Sequence, residues 1–555
     1  MLTVCQIARG ASPPGGSGIE QPPPSAGSVI QEIPELPALP KAAPELHIEQ
    51  KGAAPASSAD QTKISVSSLR VTGARAFQEA ELIAATGFKT GSQLTLTELR
   101  GLAARIADYY HNRGYFLVQA YLPAQEVKEG VVTIAVLEGL YGQISIKNNS
   151  RLSSELANDL LDGLASGQAV KVDPLEERLL LLSDLPGVNV KSTLVPGASV
   201  GNSDLIVELE PGRVISGSVD ADNEGNRYTG TNRADLTVNL NDPTGHGDVA
   251  SLRAVTSGSG LKYGRASYQM QFDRTKLGLA STDMRYELGD EFARLLAHGT
   301  AQIWSVYVGY PLMRSRASNL SLLIDWDDKD FQDSDGAVGT TADKKIRVAL
   351  ITLNGDERDG FIAGGLSNYS LSLASGDAEL ETAAALATDS ATARAEGRYE
   401  KLSISASRLQ VLGETTSVYA AISGQLASKN LDISEKMELG GANAVRSYPE
   451  GEAYCDKAYV LTGEYRWQLL RLQGSMGRNV QLIGFADTAK GDLEKSPWTN
   501  ELNHRTLSDA GVGFNWADNA NFVVKLYYAH RLGDAVALSA PDSSSRIWVQ
   551  GVKYF

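Results

Sequence analysis

The sequence contains few of the residues that build disulfide frameworks or metal sites. Its 555 residues include only two cysteines and six histidines. Cys5 lies in a proline-rich tail and Cys455 lies far along the chain, so no bridge between them is expected and both are predicted to be free thiols. The histidines show no metal-type spacing, which leaves no cysteine- or histidine-rich zinc site. We therefore expect no metal and no cofactor.

Long apolar runs and an excess of positive charge are also absent. No stretch approaches the roughly 18 consecutive apolar residues of a membrane-spanning helix. The start of the chain lacks the apolar run of a secretory signal, so the signal has been removed or Met1 is a misplaced start. The formal net charge of −15 argues against a nucleic-acid partner held by phosphate neutralisation.

Aromatic residues are missing from the N-terminal region, where proline is abundant. The first aromatic residue is Phe77, and half of the 20 prolines lie in residues 1–60. Such a segment cannot bury enough apolar surface to fold by itself. We therefore predict that residues 1–60 are a proline-rich linker, disordered or loosely placed, with at most one short helix around Pro44 to Lys51.

Two consecutive units share one order of strand and helix patterns. The first begins with the alternating KISVSSLRVTG, continues through two helical segments and ends with LVQAYLP and VVTIAVLEG. The second begins with YGQISIKN, continues through two helical segments and ends with VNVKSTLVPG and SDLIVELEPG. Alternation predicts strands, and apolar residues three and four positions apart predict helices. We therefore predict two βααββ domains, over residues 61–139 and 140–211.

The remaining residues, 212–555, are dominated by strand-like alternation. All six tryptophans lie there, and Tyr and Trp recur near strand ends, as in the aromatic girdles of membrane barrels. The residues expected to face the lumen are Arg265, Gln269, Lys525 and Arg531, and those expected to face lipid are Met270, Trp304, Val306 and Phe522. At about 20 to 22 residues per strand and connection, this length accommodates about 16 antiparallel strands. A soluble all-β domain is the alternative, because alternation alone does not separate the two.

Two acidic runs have the spacing of cation-binding sequences. Asp220 to Gly225 resembles the opening of a calcium loop, but Thr231 stands where the bidentate Glu is required, so a strand followed by a turn is favoured. The second run consists of Asp325, Asp327, Asp328 and Asp330. It is interpreted as a solvated loop edge rather than as a site for divalent ions.

A cation in a glycine-bounded loop is the most informative local feature. The run VRSYPEG carries an arginine, and about 35 residues later GFADT carries an aspartate within a predicted strand. The residues of this motif are Val445, Arg446, Ser447, Tyr448 and Gly451 in the loop, and Phe485 and Asp487 in the strand. An ordinary exposed loop charge is the alternative interpretation.

Together these features resemble the outer-membrane transporters of two-partner secretion, the TpsB, ShlB, FhaC and HecB group of the Omp85 superfamily. The resemblance covers residues 64 to 555 and also includes LPGVNVKSTLVPG, ADNEGNRYTGTNR and the terminal Phe555. It implies α+β periplasmic POTRA domains followed by an all-β, 16-stranded antiparallel transmembrane barrel. It also implies that a loop around residues 440–456 folds back into the lumen, where Arg446 contacts Asp487. Ser447 replaces the usual Gly, which questions the turn at the loop tip because Ser tolerates positive φ poorly.

The resemblance implies an export pore in the outer membrane of a Gram-negative bacterium, and not an enzyme. The cargo is expected to be a large unfolded β-helical exoprotein, such as an adhesin, cytolysin or contact-dependent toxin, which is moved without nucleotide hydrolysis. The POTRA domains are expected to recognise its N-terminal secretion domain. The alternative within the superfamily is an assembly factor that inserts barrel proteins into the outer membrane. A passive porin or barrel hydrolase is a rival from another class, against which the two upstream units argue.

An exposed POTRA sheet edge is predicted to receive an extended segment of the cargo by strand addition. The candidate edges are Leu117 to Leu122 and Val188 to Leu194. The residues assigned to cargo binding are Leu117, Val118, Ala120, Val188, Val190 and Leu194.

The resemblance implies three further expectations. Phe555 is an assembly signal for the barrel assembly machinery during biogenesis. The barrel contacts outer-membrane lipid and lipopolysaccharide. The family has a plug helix, for which PELHIEQK, residues 44–51, is the candidate in the linker, and the sequence leaves open whether this segment plugs the pore.

Overall fold

A computed structural model describes residues 23–33, 45–48, 62–472, 478–500, 502–518 and 521–555. Cys5 and most of the proline-rich region lie outside these ranges. Cys455 lies within them and is a buried free thiol. No helix in the described ranges has both the length and the apolar character needed to cross a membrane.

Two short elements come from the N-terminal region. Helix α1 is Ala26–Gln31 and strand β1 is Glu45–Ile48. The helix predicted around Pro44 to Lys51 is therefore wrong over residues 45–48, which pair with a strand of the second unit. A short helix gains few internal hydrogen bonds for the residues it orders, whereas an added strand finds partners along an existing sheet edge.

The first unit is a small sheet packed against two helices. Its elements are β2 (Lys63–Val66), β3 (Ser68–Thr72), α2 (Glu79–Thr86), β4 (Ser92–Thr95), α3 (Leu96–His111), β5 (Val118–Tyr121) and β6 (Val131–Glu138). Leu99, Leu102, Ala103 and Ile106 are buried along one face of α3, as their helical spacing predicts. The main sheet has the order β3-β6-β5, so β5 forms one of its edges.

The second unit repeats this plan with a larger sheet. Its elements are β7 (Leu140–Asn148), α4 (Ser154–Leu161), α5 (Val172–Ser183), β8 (Val188–Pro196) and β9 (Asn202–Pro211). They follow the predicted order of strand, two helices and two strands. The sheet order is β1-β8-β9-β7, so the N-terminal strand β1 covers the outer edge of β8.

The rest of the chain forms a closed, 16-stranded antiparallel barrel, which confirms the predicted fold class. The barrel strands before the longest connection are β10 (Ile215–Asp222), β11 (Arg233–Asn241), β12 (Val249–Thr256), β13 (Leu261–Phe272), β14 (Thr275–Glu287), β15 (Ala297–Arg314), β16 (Ser318–Asp335), β17 (Thr340–Asp359), β18 (Gly365–Leu380), β19 (Gly397–Val411) and β20 (Thr416–Ala427). Two further helices lie between them, a 3-10 helix (Asp290–Leu295) and α6 (Ala383–Ala391).

The longest connection is the long loop, residues 428–456. It contains a 3-10 helix (Ile433–Glu435) and the paired short strands β21 (Met437–Glu438) and β22 (Tyr454–Cys455). The remaining barrel strands are β23 (Lys457–Leu472), β24 (Arg478–Asp492), β25 (His504–Asp518), β26 (Phe522–Arg531) and β27 (Ser545–Tyr554). Pairing of β27 with β10 closes the barrel, so every strand has a neighbour on both sides.

Barrel side chains alternate between the outer wall and the lumen. Trp304 and Val306 are 62% and 40% exposed, as expected for the lipid-facing side of β15. Gln269 contacts the hydroxyl of Tyr307, which lies on the other face of β15 from Val306, so Gln269 faces the lumen. Lys525 lines the cavity inside the barrel. These positions agree with the faces predicted from alternation.

The acidic run from Asp325 to Asp330 lies within β16, so its interpretation as a loop edge is wrong. Asp330 forms an ion pair with Lys345 of β17 at 3.0 Å, and Asp328 lies 3.8 Å from Arg347. Cross-strand pairing with cations explains how a strand accommodates these acids. Within the described ranges, no group of three or more His, Cys, Asp or Glu side chains is arranged to hold a metal ion.

Candidate functional site

The tip of the long loop is held by one guanidinium group. Arg446 donates from Nε and Nη2 to the two carboxylate oxygens of Asp487 on β24, at 2.7 and 3.0 Å. Its Nη1 donates to Glu464 Oε1 on β23 at 2.9 Å. Its guanidinium carbon lies 3.6 Å from the centre of the Phe485 ring. The structure thus brings Arg446, Phe485 and Asp487 of the sequence motif into one contact.

Burial makes this contact less screened than a surface ion pair. The side chain of Arg446 is 6% exposed and that of Asp487 is fully buried. Although burial alone lowers the pKa of Arg446, Asp487 and Glu464 raise it above the ordinary value for arginine. The group therefore stays charged, and its two parallel hydrogen bonds to Asp487 fix the orientation of the loop tip.

The backbone of the loop tip has two further contacts. Trp548 Nε1 on β27 donates to the carbonyl of Arg446, and the N–H of Ser447 donates to Asp509 Oδ2 on β25, both at 2.6 Å. The described non-glycine residues with positive φ include Ala453 but not Ser447. The tip therefore does not need a glycine at this position, and the predicted difficulty with Ser447 is not observed.

The other motif residues of the loop contribute packing and a turn. Val445 and Tyr448 are fully buried, and the Tyr448 hydroxyl donates to the carbonyl of Ala535 at 2.8 Å. Gly451 has a φ of +80°, which favours glycine, and its N–H donates to Glu438. The motif therefore combines one charged anchor with apolar and backbone contacts.

Helix α1 lies in the lumen between the barrel wall and the long loop. Ala26 N–H donates to Asp333 Oδ1 on β16 at 2.7 Å, and Gln31 Nε2 donates to the carbonyl of Ile433 in the loop at 2.9 Å. Ala26 and Val29 are buried in an apolar cluster that contains Met284 of the wall. The chain therefore has a lumenal helix, but not at the predicted residues 44–51.

The residue that directly follows α1 is the buried Glu32. Glu32 Oε1 accepts from Asn226 Nδ2 at 2.8 Å and from the Tyr454 hydroxyl at 3.1 Å. Burial raises the pKa of Glu32 to about 7, against the lowering effect of these hydrogen bonds and of Arg233. Burial likewise raises the pKa of Glu450 in the long loop. When α1 is seated in the lumen, the protonated form of Glu32 is therefore favoured.

The two predicted cargo edges differ in accessibility. The outer edge of β8 is covered by β1, with Glu45 opposite Lys191 and Ile48 opposite Leu194. Strand β5 lies at the end of its sheet, and no other strand among the described residues pairs with its outer edge. Val188, Val190 and Leu194 are buried in the core of the second unit, and Val118 is buried in the core of the first. What β5 offers to a partner is therefore its backbone and exposed residues such as Tyr121.

Phe555 lies where the first and last barrel strands meet. Its N–H donates to the carbonyl of Gly217 and its carbonyl accepts from the Gly217 N–H, both at 3.0 Å. A Cβ atom at Gly217 would lie 2.6 Å from the Phe555 ring, so only glycine fits beside that ring. The terminal residue therefore extends the seam between β10 and β27.

Several residues of the site carry no sequence signal of their own. Glu464, Asp509 and Trp548 come from three separate strands, and alternation predicts only that each lies on one of two faces. Glu452 of the long loop accepts hydrogen bonds from the N–H groups of Leu538 and Ser539, at 2.8 and 2.9 Å. A polar residue on the lumenal face is the signal that could have indicated Glu464 and Asp509.

A cavity of about 1080 Å³ lies between the loop tip and the second unit. Its lining includes Arg446 at one end, Asp184 of the second unit at the other, and Ser370 and Ser405 of the wall between them. The barrel thus encloses a space with polar lining residues, and the long loop and α1 separate this space from the opposite end of the barrel.

Comparisons of sequence identify both parts of the chain. A model of the family described as haemolysin secretion/activation protein ShlB/FhaC/HecB matches residues 201–515, and a model of the ShlB-type POTRA domain matches residues 64–139. The heme/hemopexin transporter protein HuxB of Haemophilus influenzae is 27% identical over 476 residues, covering 84% of this chain and 82% of HuxB. The outer membrane transporter CdiB of Dickeya dadantii is 22% identical over 404 residues, covering 68% and 67%.

Solved structures show the same architecture. CdiB from Escherichia coli superposes with a TM-score of 0.70 at 19% identity, covering 90% of this chain and 93% of CdiB. BamA from Haemophilus ducreyi, lacking POTRA domains 1–3, gives a TM-score of 0.53 at 13% identity over 88% of this chain and 100% of that one. At these identities the likeness establishes the fold. Since the family model spans more than half of the sequence, the chain belongs to the ShlB/FhaC/HecB family and is an outer-membrane transporter, with periplasmic POTRA domains, that secretes a partner protein.

Proposed function

We propose that this transporter moves a large, unfolded exoprotein through its barrel as an extended chain, and that α1 acts as a plug that leaves first. The observation that supports the proposal is that α1 and the long loop, which are not part of the barrel wall, occupy the lumen. Arg446 and Ala26 hold these segments to the wall through hydrogen bonds. Such contacts can exchange for water one at a time when the segments move.

The proposed cargo enters from the POTRA side. We infer that a segment of its N-terminal secretion domain adds to β5, because that edge is open and the edge of β8 is covered by β1. Of the residues assigned to cargo binding, Val118 and Ala120 belong to β5 and Leu117 directly precedes it. Folding of a β-helical cargo outside the cell drives export, so the proposal includes no nucleotide hydrolysis and no enzymatic step.

The environment of the barrel is part of the proposal. Lipid and lipopolysaccharide contact the outer face that exposes Trp304 and Val306. Phe555, at the seam of the barrel, is read by the barrel assembly machinery during biogenesis. The position of Phe555 beside β10 and its paired hydrogen bonds to Gly217 support this assignment.

Proline substitution of β5 tests cargo entry. Successive N–H groups of a strand point to opposite sides. Of the two variants Gln119→Pro and Ala120→Pro, one therefore removes an N–H group that points away from β6, and the other removes an N–H group that bonds to β6. The outward-facing variant is expected to lower secretion of a co-expressed partner about tenfold. Gln119→Ala, which keeps the backbone donor, is the matched control.

The amount of partner at the cell surface is the measurement, with heat-modifiability on gels as the control for barrel folding. Normal secretion by both proline variants would show that the cargo does not use β5. If the proline variants secrete the partner normally but other barrel proteins fail to insert into the membrane, the assembly-factor alternative is favoured instead.

A further inference from the structure

Three lysines of the barrel wall hold the root of the long loop. Lys344 Nζ on β17 lies 2.9 Å from Asp432 Oδ2. Lys329 on β16 and Lys401 on β19 lie 2.8 and 2.7 Å from the two carboxylate oxygens of Glu435. We call these five residues the root cluster. They come from other strands than the wall partners of Arg446, which lie on β23 and β24.

The root cluster is buried and charged. The side chain of Glu435 is 3% exposed, and those of Lys329 and Lys401 are 17% and 15% exposed. Burial raises the pKa of Glu435, but the combined effect of Lys329 and Lys401 is larger and lowers the pKa to about 2. Lys344 likewise lowers the pKa of Asp432. Both carboxylates therefore carry charge at neutral pH, and removal of a lysine partner leaves negative charge without its cation inside the barrel.

The loop root also covers the plug helix. The 3-10 helix between Asp432 and Lys436 contains Ile433, whose carbonyl accepts the hydrogen bond from Gln31 of α1. A Cβ atom at Gly27 would lie only 2.8 Å from the Cβ of Ser434, so α1 and the root are in close backbone contact. On its other side, α1 is bonded to Asp333 of β16 through Ala26. The helix is thus enclosed between the wall and the loop root.

We propose that the root cluster is a second anchor of the long loop, which keeps α1 seated and which is separate from the Arg446 anchor at the tip. The lysines are positioning residues in this role, because they act on the plug through the loop root. The inference rests on the proposed function of α1 as a plug. Its consequence is that the plug can be released while the loop tip stays bound to Asp487.

Channel recordings in planar bilayers test the second anchor. Lys344→Gln leaves Asp432 without its cation and is expected to raise the open probability of the purified transporter by about tenfold or more. Asp432→Asn, a smaller change, is expected to act in the same direction. Lys345→Gln is the matched control, because Lys345 is the next residue of β17 and pairs with Asp330 instead.

A chain that lacks residues 23–33 separates action on the plug from a general effect on the pore. Without α1, Lys344→Gln is expected to leave the open probability unchanged. An equal rise with and without α1, or no rise with α1 present, would overturn the second anchor alone. If deletion of α1 leaves the open probability at the wild-type level, the plug itself is wrong, and the proposed function fails at that step together with the inference.

Discussion

At the scale of single residues, Arg446 joins elements that are distant in sequence. It bonds to Asp487 and Glu464 and lies against Phe485, while its carbonyl accepts from Trp548. The side chain of Arg446 therefore ties the loop tip to β23 and β24, and its backbone carbonyl ties it to β27. Since its partners are buried carboxylates, loss of the guanidinium leaves negative charge in the wall rather than only an empty space.

Arg446→Ala and Asp487→Ala are each expected to impair secretion strongly, because an unpaired buried charge costs about 3–5 kcal/mol. The exchange Arg446→Asp with Asp487→Arg should recover little, since the aspartate introduced on the loop would face the carboxylate of Glu464. Addition of Glu464→Gln to the exchange should recover part of the loss.

Secretion assays on these variants test whether Arg446 and Asp487 act as a pair. If they do, the losses of the single variants will not add in the double variant. Arg466→Ala is a control, because Arg466 pairs with Glu464 but stands on the wall rather than on the loop. If the exchange with Glu464→Gln is as defective as Arg446→Ala, the arginine acts on the cargo and not on Asp487.

The Glu32 carboxyl predicts a dependence of plugging on pH. Burial raises its pKa from 4.5 to about 7 when α1 is seated. A carboxyl that binds its proton more tightly in the seated state stabilises that state below pH 4.5, and this stabilisation is lost as the pH rises towards 7. The open probability in bilayers should therefore rise between pH 5 and pH 8.

Glu32→Gln should flatten this rise, because glutamine has no proton to lose. Glu450 and Glu438 of the long loop also have pKa values raised by burial, and Glu32 raises both further. The residual slope should therefore decrease further when Glu450→Gln is added. An unchanged slope in the double variant would assign the pH dependence to other groups.

At the scale of secondary-structure elements, local patterns predict which segments are strands and helices but not which edges meet. The spacing of Leu99, Leu102 and Ile106 is sufficient to predict α3, because one helix face is buried. The alternation around Trp304 likewise predicts β15. Strand β1 has only four residues, and its hydrogen bonds go to β8, far away in the sequence. No local pattern contains that information.

The site shows the same division between local and distant information. Arg446 and Asp487 were expected to meet because their motifs resemble those of a known family. The root cluster was not predicted, since Lys329, Lys344 and Lys401 are single lysines on separate strands. Their proximity depends on the register of four neighbouring strands and on the path of the long loop, and a one-residue change of register would turn each to the other face.

At the scale of the whole molecule, the second unit, residues 140–211, is held against the barrel by ion pairs. Arg314, at the end of β15, donates to both carboxylate oxygens of Asp184 at 2.7 and 2.8 Å. Arg274 pairs with Glu177, and Arg316 lies 2.8 Å from Glu176. Arginines of the barrel turns thus face the acids at one end of the second unit, which fixes the position of that unit against the barrel.

Arg314→Glu is expected to loosen this contact, because it replaces a two-bond attraction by repulsion from Asp184. Spin labels on the second unit and the barrel should then report a broader distance distribution, and Asp184→Arg in the same chain should narrow it again. Lys147→Gln, which breaks an exposed pair with Glu208 within the second unit, is the control. A distribution as narrow as in the wild type would mean that other contacts fix the domain.

The seam between β10 and β27 also bears on how the barrel forms. Five residue pairs lie within the two strands of the seam, and the Gly217 and Phe555 bonds extend it, whereas β16 and β17 share 18 pairs. Neighbouring barrel strands elsewhere follow each other along the chain, but the seam joins the first barrel strand to the last. The entropy lost in closing a loop grows with loop length. Contacts between distant residues also form slowly. The hairpins are therefore expected to assemble first, so that late in biogenesis the barrel is an open sheet, with two free edges that meet only when β27 pairs with β10.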